Sequence, residues 1–149
     1  MSKKHVSITL NSRQEDEGLS QTTTEIHDGA LYDKNDGRYL LFKNDEDGVS
    51  TSIRLADDEI RLFRRGALES WQVFRLGEIT GGVLTLGVNA MVLRVHTSHF
   101  QVEQADDGGR IELHYQLWTA ADSDPESDPH ELSLGRFELS LDWTVHGEG

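Results

Sequence analysis

The histidines of this chain are the first residues whose type and spacing could do chemistry. The sequence contains seven, and His96, His99 and His114 form the most promising set. A hairpin folded about Asp107-Gly108 would place His99 within about one register step of His114, and two histidines facing each other on adjacent strands can bind zinc or nickel. Both alternate with apolar residues, so they should point toward water, where a metal site still needs a third ligand and supporting contacts. We therefore interpret them as surface histidines, with a metal site at His99 and His114 as the alternative.

Arg64 is the residue whose charge most needs an explanation. It shares the alternation of Ile60 and Leu62, which we predict to face the interior, so its guanidinium should also point inward. A buried arginine needs a carboxylate, several carbonyl oxygens or a bound anion. Either Arg64 closes one end of the fold against a glutamate or the hairpin backbone, or it anchors an anionic small ligand. In the second case three aromatic side chains would form the wall of the site, namely Tyr39, Phe74 and Tyr115.

No catalytic sequence signature is present. The chain lacks a Gly-x-Ser-x-Gly elbow, a His-Glu-x-x-His zinc motif and a phosphate-binding loop. Asp45-Glu46-Asp47-Gly48 has the carboxylates of a calcium loop but not the full ligand spacing or the final glutamate. The absence of cysteine removes thiol nucleophiles, thiolate metal sites and disulfides. We therefore expect a protein that is not an enzyme and carries no cofactor.

The elements that must position these residues are β-strands, because apolar and polar residues alternate along most of the chain. Short turns rich in aspartate, asparagine and glycine separate the alternating segments. We predict a single all-β domain over residues 1–149, a closed or nearly closed antiparallel β-barrel of about 8–10 strands, because closure removes exposed strand edges. A two-sheet sandwich is the alternative. The segment 121–131 contains both prolines and is expected to be an exposed, flexible loop.

The alternation changes phase once in the long segment 91–102. Leu93 and Val95 are apolar at odd positions, whereas Phe100 and Val102 are apolar at even positions. A β-bulge inserts one residue and re-aims the side chains that follow it. We therefore predict a bulge within Thr97–His99.

Several motifs resemble those of one bacterial family. Arg64-Arg65-Gly66-Ala67 matches an Arg-x-Gly pattern at a hairpin, Phe74 follows at the family spacing, and similarity continues through Val88–Leu93, Thr97 and Ile111–Tyr115. On these residues the chain resembles the YwiB-like family, and the similarity covers most of its length. The resemblance implies a small barrel of lipocalin-like (calycin) architecture without an established activity. It bears on the fold more than on the function, because one scaffold can host unrelated activities.

The charge of the chain limits its partners. The net charge is −13, from 27 acidic and 14 basic residues. Nucleic acids and anionic membranes both select positive surfaces, so we expect neither as a partner. The densest basic group is Arg61, Arg64 and Arg65. The lack of cysteine and of any apolar run of signal-peptide or membrane length favours a cytoplasmic protein.

The function therefore remains open at the level of sequence, with two hypotheses. The first is a non-enzymatic binding module whose barrel holds a small apolar or anionic ligand. The second is a barrel with a solid core that serves as a structural or protein-interaction module, as a homodimer or with another protein.

Overall fold

The alternating segments form ten β-strands in the part of the chain that a computed structural model describes, residues 2–119 and 132–148. The predicted loop 121–131 lies outside the described residues. No helix in the described part is long and apolar enough to cross a membrane. The strands are β1 (Ser2–Asp16), β2 (Leu19–Lys34), β3 (Gly37–Lys43), β4 (Ser50–Leu55), β5 (Ile60–Arg65), β6 (Leu68–Phe74), β7 (Ile79–Leu86), β8 (Asn89–Ala105), β9 (Gly108–Thr119) and β10 (Leu132–Glu148).

The strands close into one antiparallel barrel. Each strand pairs with its neighbours in the chain, and β1 also pairs with β10, so the order is β1-β10-β9-β8-β7-β6-β5-β4-β3-β2 and back to β1. This confirms the predicted closed barrel, with a strand number at the upper limit of the predicted range. A two-sheet sandwich is excluded, because the hydrogen-bonded pairing runs all the way around.

The alternation places one side chain of every two inside the barrel, where apolar residues form one core cluster. Ile8 and Leu141 are fully buried, and Trp143 is 2% exposed. Complete burial of one such side chain contributes roughly 1.5–3 kcal/mol. The core therefore supplies the main stabilisation that holds the strands in register.

The predicted bulge is present in β8. Thr97 lies opposite Tyr115, and His99 lies opposite the preceding residue of β9, His114, so Ser98 is the inserted residue. The insertion changes which residues face inward. Thr97 is fully buried inside the barrel, whereas His99 and His114 are partly exposed on the outer face.

The two ends of the barrel differ in their turns. One end, here called the β5–β6 end, carries the turn at Gly66-Ala67, where Gly66 has φ of 154°, a conformation that favours glycine. This places the Arg-x-Gly motif at a hairpin, as expected. The opposite end, here called the β4–β5 end, carries the turn 56–59.

Glu59 forms an ion-pair cluster at the β4–β5 end. Its carboxylate accepts a hydrogen bond from Arg61 and another from Nε of Arg75 at 2.7 Å, and Arg54 lies 3.9 Å away. If Arg64 closed one end of the barrel, a glutamate was one of its expected partners. Glu59 does bind arginines at the β4–β5 end, but they are Arg61, Arg75 and Arg54 rather than Arg64.

Candidate functional site

A polar row crosses the inner face of the barrel near the β5–β6 end. Arg64 lies directly opposite Thr51 on β4 and directly opposite Ser70 on β6. Directly opposed residues of an antiparallel pair share one face of the sheet. Thr51 is 6% exposed and Ser70 is 8% exposed, so this face is the interior, and Arg64 is half-buried beside them. The inward direction predicted for Arg64 therefore matches its position.

The guanidinium of Arg64 has no ion pair and no hydrogen bond within residues 2–119 and 132–148. Six buried side-chain polar atoms of the described chain also lack a hydrogen-bond partner, and among them are three on polar residues that face the barrel interior, namely Oγ of Ser70, Oε1 of Gln72 and Oγ1 of Thr97. Buried polar groups in native proteins are almost always satisfied by protein, ordered water or a bound ligand. The interior therefore offers one positive charge near the β5–β6 end, with the unused hydroxyl of Ser70 directly opposite it, and further unused hydrogen-bonding groups at Gln72 and Thr97.

Two of the predicted wall residues face the barrel interior, although Phe74 lies opposite Ile60, toward the β4–β5 end. Tyr115 is 9% exposed and Phe74 is 1% exposed, and their rings meet edge to face with centroids 4.7 Å apart. The rings of Phe137 and Tyr115 are stacked, with centroids 5.3 Å apart. Burial raises the pKa of Tyr115 to about 12, and the positive charge of Arg64 acts on that pKa in the opposite direction. The phenol is therefore neutral near pH 7 and can donate a hydrogen bond.

Tyr39 does not belong to this wall, which corrects the prediction for that residue. Leu40 and Phe42 of β3 face the core, so Tyr39 faces outward. Its hydroxyl donates a hydrogen bond of 2.6 Å to Asp36, and the ammonium of Lys34 lies 4.8 Å from the centroid of its ring. The structure thus brings Arg64, Phe74 and Tyr115 into one interior and leaves Tyr39 on the outer surface.

Sequence reasoning missed the neutral polar residues of the barrel interior. Thr51, Ser70, Gln72 and Thr97 lie at inward positions, but each occurs in an alternating segment where threonine, serine or glutamine is common on the wet face. A usable signal is the phase of β6, because Ser70 and Gln72 share the inward face of the strand with Phe74. A polar residue in the phase of a buried phenylalanine marks a polar interior position.

The predicted histidine pair is brought together on the outer face. His99 and His114 lie directly opposite each other, with ring centroids 4.6 Å apart and ring planes inclined by 38°. Glu112 completes a group of three possible ligands whose nearest donor atoms all lie within 4.8 Å of one another. His96, the third histidine of the predicted set, lies opposite Gln116 and is not part of this group.

An apolar stripe runs across the outside of four neighbouring strands. Phe63, Trp71, Val83 and Val92 lie opposite one another in turn from β5 to β8. Phe63 is 39% exposed, Trp71 is 40% exposed and Val92 is 56% exposed. A contiguous apolar surface of this kind is a common feature of association sites.

Comparisons with known proteins identify the family. The crystal structure of the ywiB protein from Bacillus subtilis matches with a TM-score of 0.77 at 20% sequence identity, covering 96% of this chain and 92% of that chain. In sequence, the chain is 25% identical over 136 residues to the uncharacterised β-barrel protein YwiB of Bacillus subtilis (strain 168). That alignment covers 89% of this chain and 94% of the relative. These matches support the barrel and assign no activity, and the lipocalin-like label stays a prediction. A family model described as a domain of unknown function (DUF1934) matches residues 6–128, and the chain therefore belongs to this family.

Proposed function

We propose that the barrel binds a small molecule carrying a carboxylate or phosphate group, with Arg64 as the anchor of the anion. One observation carries this proposal: in the described residues the half-buried guanidinium has no counter-charge, and it lies directly opposite Ser70, whose buried hydroxyl makes no hydrogen bond. Each buried polar group left unsatisfied costs about 1–3 kcal/mol. A bound anion would remove much of that cost.

The groups around Arg64 suit an oxyanion. The planar guanidinium can donate two parallel hydrogen bonds to a carboxylate or phosphate. The hydroxyl groups of Thr51 and Ser70 flank it on the neighbouring strands. The buried phenol of Tyr115 stays protonated near pH 7, because desolvation raises its pKa to about 12. These groups all donate to negative oxygen atoms without changing their own protonation state.

The same row indicates that the ligand also has an apolar part. Beyond Ser70, the directly opposed residues are Leu84 on β7 and then Met91 on β8, and Met91 is 38% exposed. The anion anchor is therefore followed by apolar side chains toward the rim of the barrel. An amphiphilic molecule, with its charged group on Arg64 and its apolar part along Leu84 and Met91, fits this arrangement.

The proposal is one of binding without catalysis, inside the cytoplasm. The hydrogen-bonding groups near Arg64 are neutral hydroxyl and amide groups, which are suited to holding an anion rather than to moving protons at neutral pH. A chain without cysteine suits a reducing compartment. The net charge of −13 opposes association with nucleic acid or an anionic membrane.

Exchanging Arg64 for methionine should weaken binding of the anion at least about tenfold, since a charge-assisted hydrogen bond contributes about 1.5–3 kcal/mol. The probes are octanoate, mono-octyl phosphate and the neutral octan-1-ol, titrated into the protein while backbone amide chemical shifts are recorded by NMR. We expect saturable shifts at Thr51 and Ser70 with the two anions. The anion with the lower dissociation constant, octanoate or mono-octyl phosphate, identifies the preferred head group.

Arg65→Met is the matched control, because Arg65 is exposed and adjoins Arg64 at the end of the same strand. It removes the same charge and should leave the affinity unchanged. The Arg64→Met variant should fold, since no carboxylate of the described chain loses its partner. The proposal is wrong if neither anion saturates, or if both variants weaken binding equally.

A second candidate function is self-association through the apolar stripe of Phe63, Trp71, Val83 and Val92. A closed barrel offers no free strand edge, so a second copy must be held by a face, and this face is the apolar one described above. The candidate predicts a dimer in light scattering and a monomer after Trp71→Lys. Ile26→Lys is the control, because Ile26 is a 76% exposed apolar residue on a different strand. A monomeric wild-type protein at all concentrations would remove this candidate.

A further inference from the structure

We propose that His99, Glu112 and His114 form a binding site for a divalent transition-metal ion on the outer face of β8 and β9. The site is separate from the barrel interior and does not depend on the anion site. Two imidazoles and one carboxylate suit zinc, nickel, cobalt and copper better than magnesium or calcium, which prefer oxygen ligands.

The distances between the donor atoms suit a metal ion. Nε2 of His99 lies 3.5 Å from Oε1 of Glu112, and Nε2 of His114 lies 3.7 Å from the same oxygen. A tetrahedral zinc ion, with bonds of about 2.0–2.2 Å, holds its ligands about 3.4 Å apart. Two of the three separations are therefore close to the required value. The third lies within 4.8 Å, so the two imidazoles must approach each other when an ion binds.

The strands fix these side chains before any ion arrives. Glu112 and His114 are two residues apart on β9, so they share one face of the sheet. The bulge at Ser98 turns His99 onto that same face and sets it directly opposite His114. If alternation continued unbroken through Ser98, His99 would take the inward phase that Thr97 occupies. The pair therefore follows from a defined irregularity in the middle of two long strands.

The surroundings favour a cation at this place. Nε2 of His99 is buried and makes no hydrogen bond in the described chain, although the carboxylate of Glu112 is near. The second oxygen of Glu112, Oε2, lies 3.7 Å from Arg110, which leaves Oε1 directed at the imidazoles. A neighbour that orients a metal-binding carboxylate in this way typically strengthens metal binding. The net charge of −13 also raises the local concentration of cations.

Three protein ligands leave coordination positions open. The side chains of His99 and His114 are 41% and 38% exposed, so the remaining positions face water. Structural zinc sites usually use four protein ligands, whereas a site with three can accept water or a group from another molecule. We therefore assign this site an exchangeable ion rather than an ion required for folding.

The test uses full-length protein without a histidine tag, titrated with zinc chloride by calorimetry, and with cobalt chloride by visible absorption. Wild type should bind one zinc ion per chain, and the cobalt complex should show the strong absorption of a four-coordinate ion. His99→Ala, His114→Ala and Glu112→Gln should each weaken zinc binding at least about tenfold. In NMR spectra, zinc should shift the imidazole signals of His99 and His114.

His96→Ala is the matched control, since His96 lies on the same strand but outside the group of three. It should bind zinc as the wild type does. Thermal unfolding without metal should be similar for all variants, because the positions are half-exposed. Absence of saturable one-to-one binding by wild-type protein would overturn the proposal. Undiminished binding after both His99→Ala and His114→Ala, or an equal loss after His96→Ala, would overturn it as well.

Discussion

Replacing Gly109 with alanine should lower the free energy of unfolding by about 3 kcal/mol or more, the upper part of the range for overpacking in a core. A Cβ atom at this position would lie 2.6 Å from the carbonyl oxygen of Glu103 and closer still to the indole ring of Trp143. Neither group can move freely. The carbonyl oxygen of Glu103 is part of the backbone of the neighbouring strand β8, and Trp143 is 2% exposed in the core. Glycine is needed here because of space rather than backbone conformation.

Gly81→Ala is the control for the Gly109 prediction. Gly81 also lies in a strand, and the nearest atom to an added Cβ is a ring carbon of Trp71 at 3.9 Å, an ordinary contact distance. Alanine there restricts the unfolded chain and should raise stability by about 0.4–1 kcal/mol. Urea unfolding followed by circular dichroism measures both changes. Equal effects of the two substitutions would show that close packing at Trp143 is not what selects Gly109.

The sequence was sufficient to predict the fold because its signals agree at several levels. Stripes such as Ile111–Leu117 have one apolar side, the turns contain residues suited to tight reversals, and closure solves the problem of exposed edges. The phase change between Val95 and Phe100 located the bulge at Thr97–His99, because one inserted residue is the simplest way to exchange the two faces.

The candidate interior site was only partly predictable. Arg64 was found because a charged residue in the phase of Ile60 and Leu62 is conspicuous. Alternation alone does not place Tyr39, because β3 has large apolar or aromatic side chains on both faces and the pattern does not decide which face is buried. Thr51 and Ser70 became visible only through the pairing of β4, β5 and β6, since register depends on turn geometry that alternation alone does not contain.

The outer histidine site was also predictable from the sequence only in part. A hairpin about Asp107-Gly108 predicted that His99 and His114 would approach each other, and the structure confirms that they are directly opposed. The third ligand was within reach of the sequence, because Glu112 precedes His114 by two residues and must share its face. What no pattern supplies is the direction of the Glu112 carboxylate, which depends on Arg110 and on side-chain torsions.

Exchanging Glu59 for glutamine should lower the free energy of unfolding at pH 7 by about 2 kcal/mol, because it weakens charged hydrogen bonds that are each worth about 1.5–3 kcal/mol. Glu59 binds Arg61 and Arg75, and its side chain is 11% exposed. The arginine side chains are 43% and 42% exposed, so solvent screens part of the interaction and keeps the loss below that of a fully buried pair.

The stability lost in Glu59→Gln should depend on pH, in a direction set by the titration of the Glu59 carboxylate. Hydrogen bonds from Arg61, and then from Arg75, hold the pKa of Glu59 below its usual value near 4.5, although desolvation opposes them. A pKa that is lower in the folded state than in the unfolded state gives stability that is present above pH 4.5 and is lost as the pH falls through the folded value. The difference between wild type and Glu59→Gln should therefore be constant near neutral pH and shrink in acid.

Glu78→Gln is the control that separates this cluster from general surface charge. Glu78 also approaches Arg75, at 4.0 Å, but its side chain is 60% exposed. Such a pair typically contributes about 1 kcal/mol or less, and its removal should be nearly silent at every pH. Denaturant unfolding of wild type and both variants from pH 7 down to the acid limit of folding makes the comparison. If Glu59→Gln and Glu78→Gln give the same small loss, the arginines at the β4–β5 end are held by solvent-screened surface attraction, and Glu59 has no special part in closing that end.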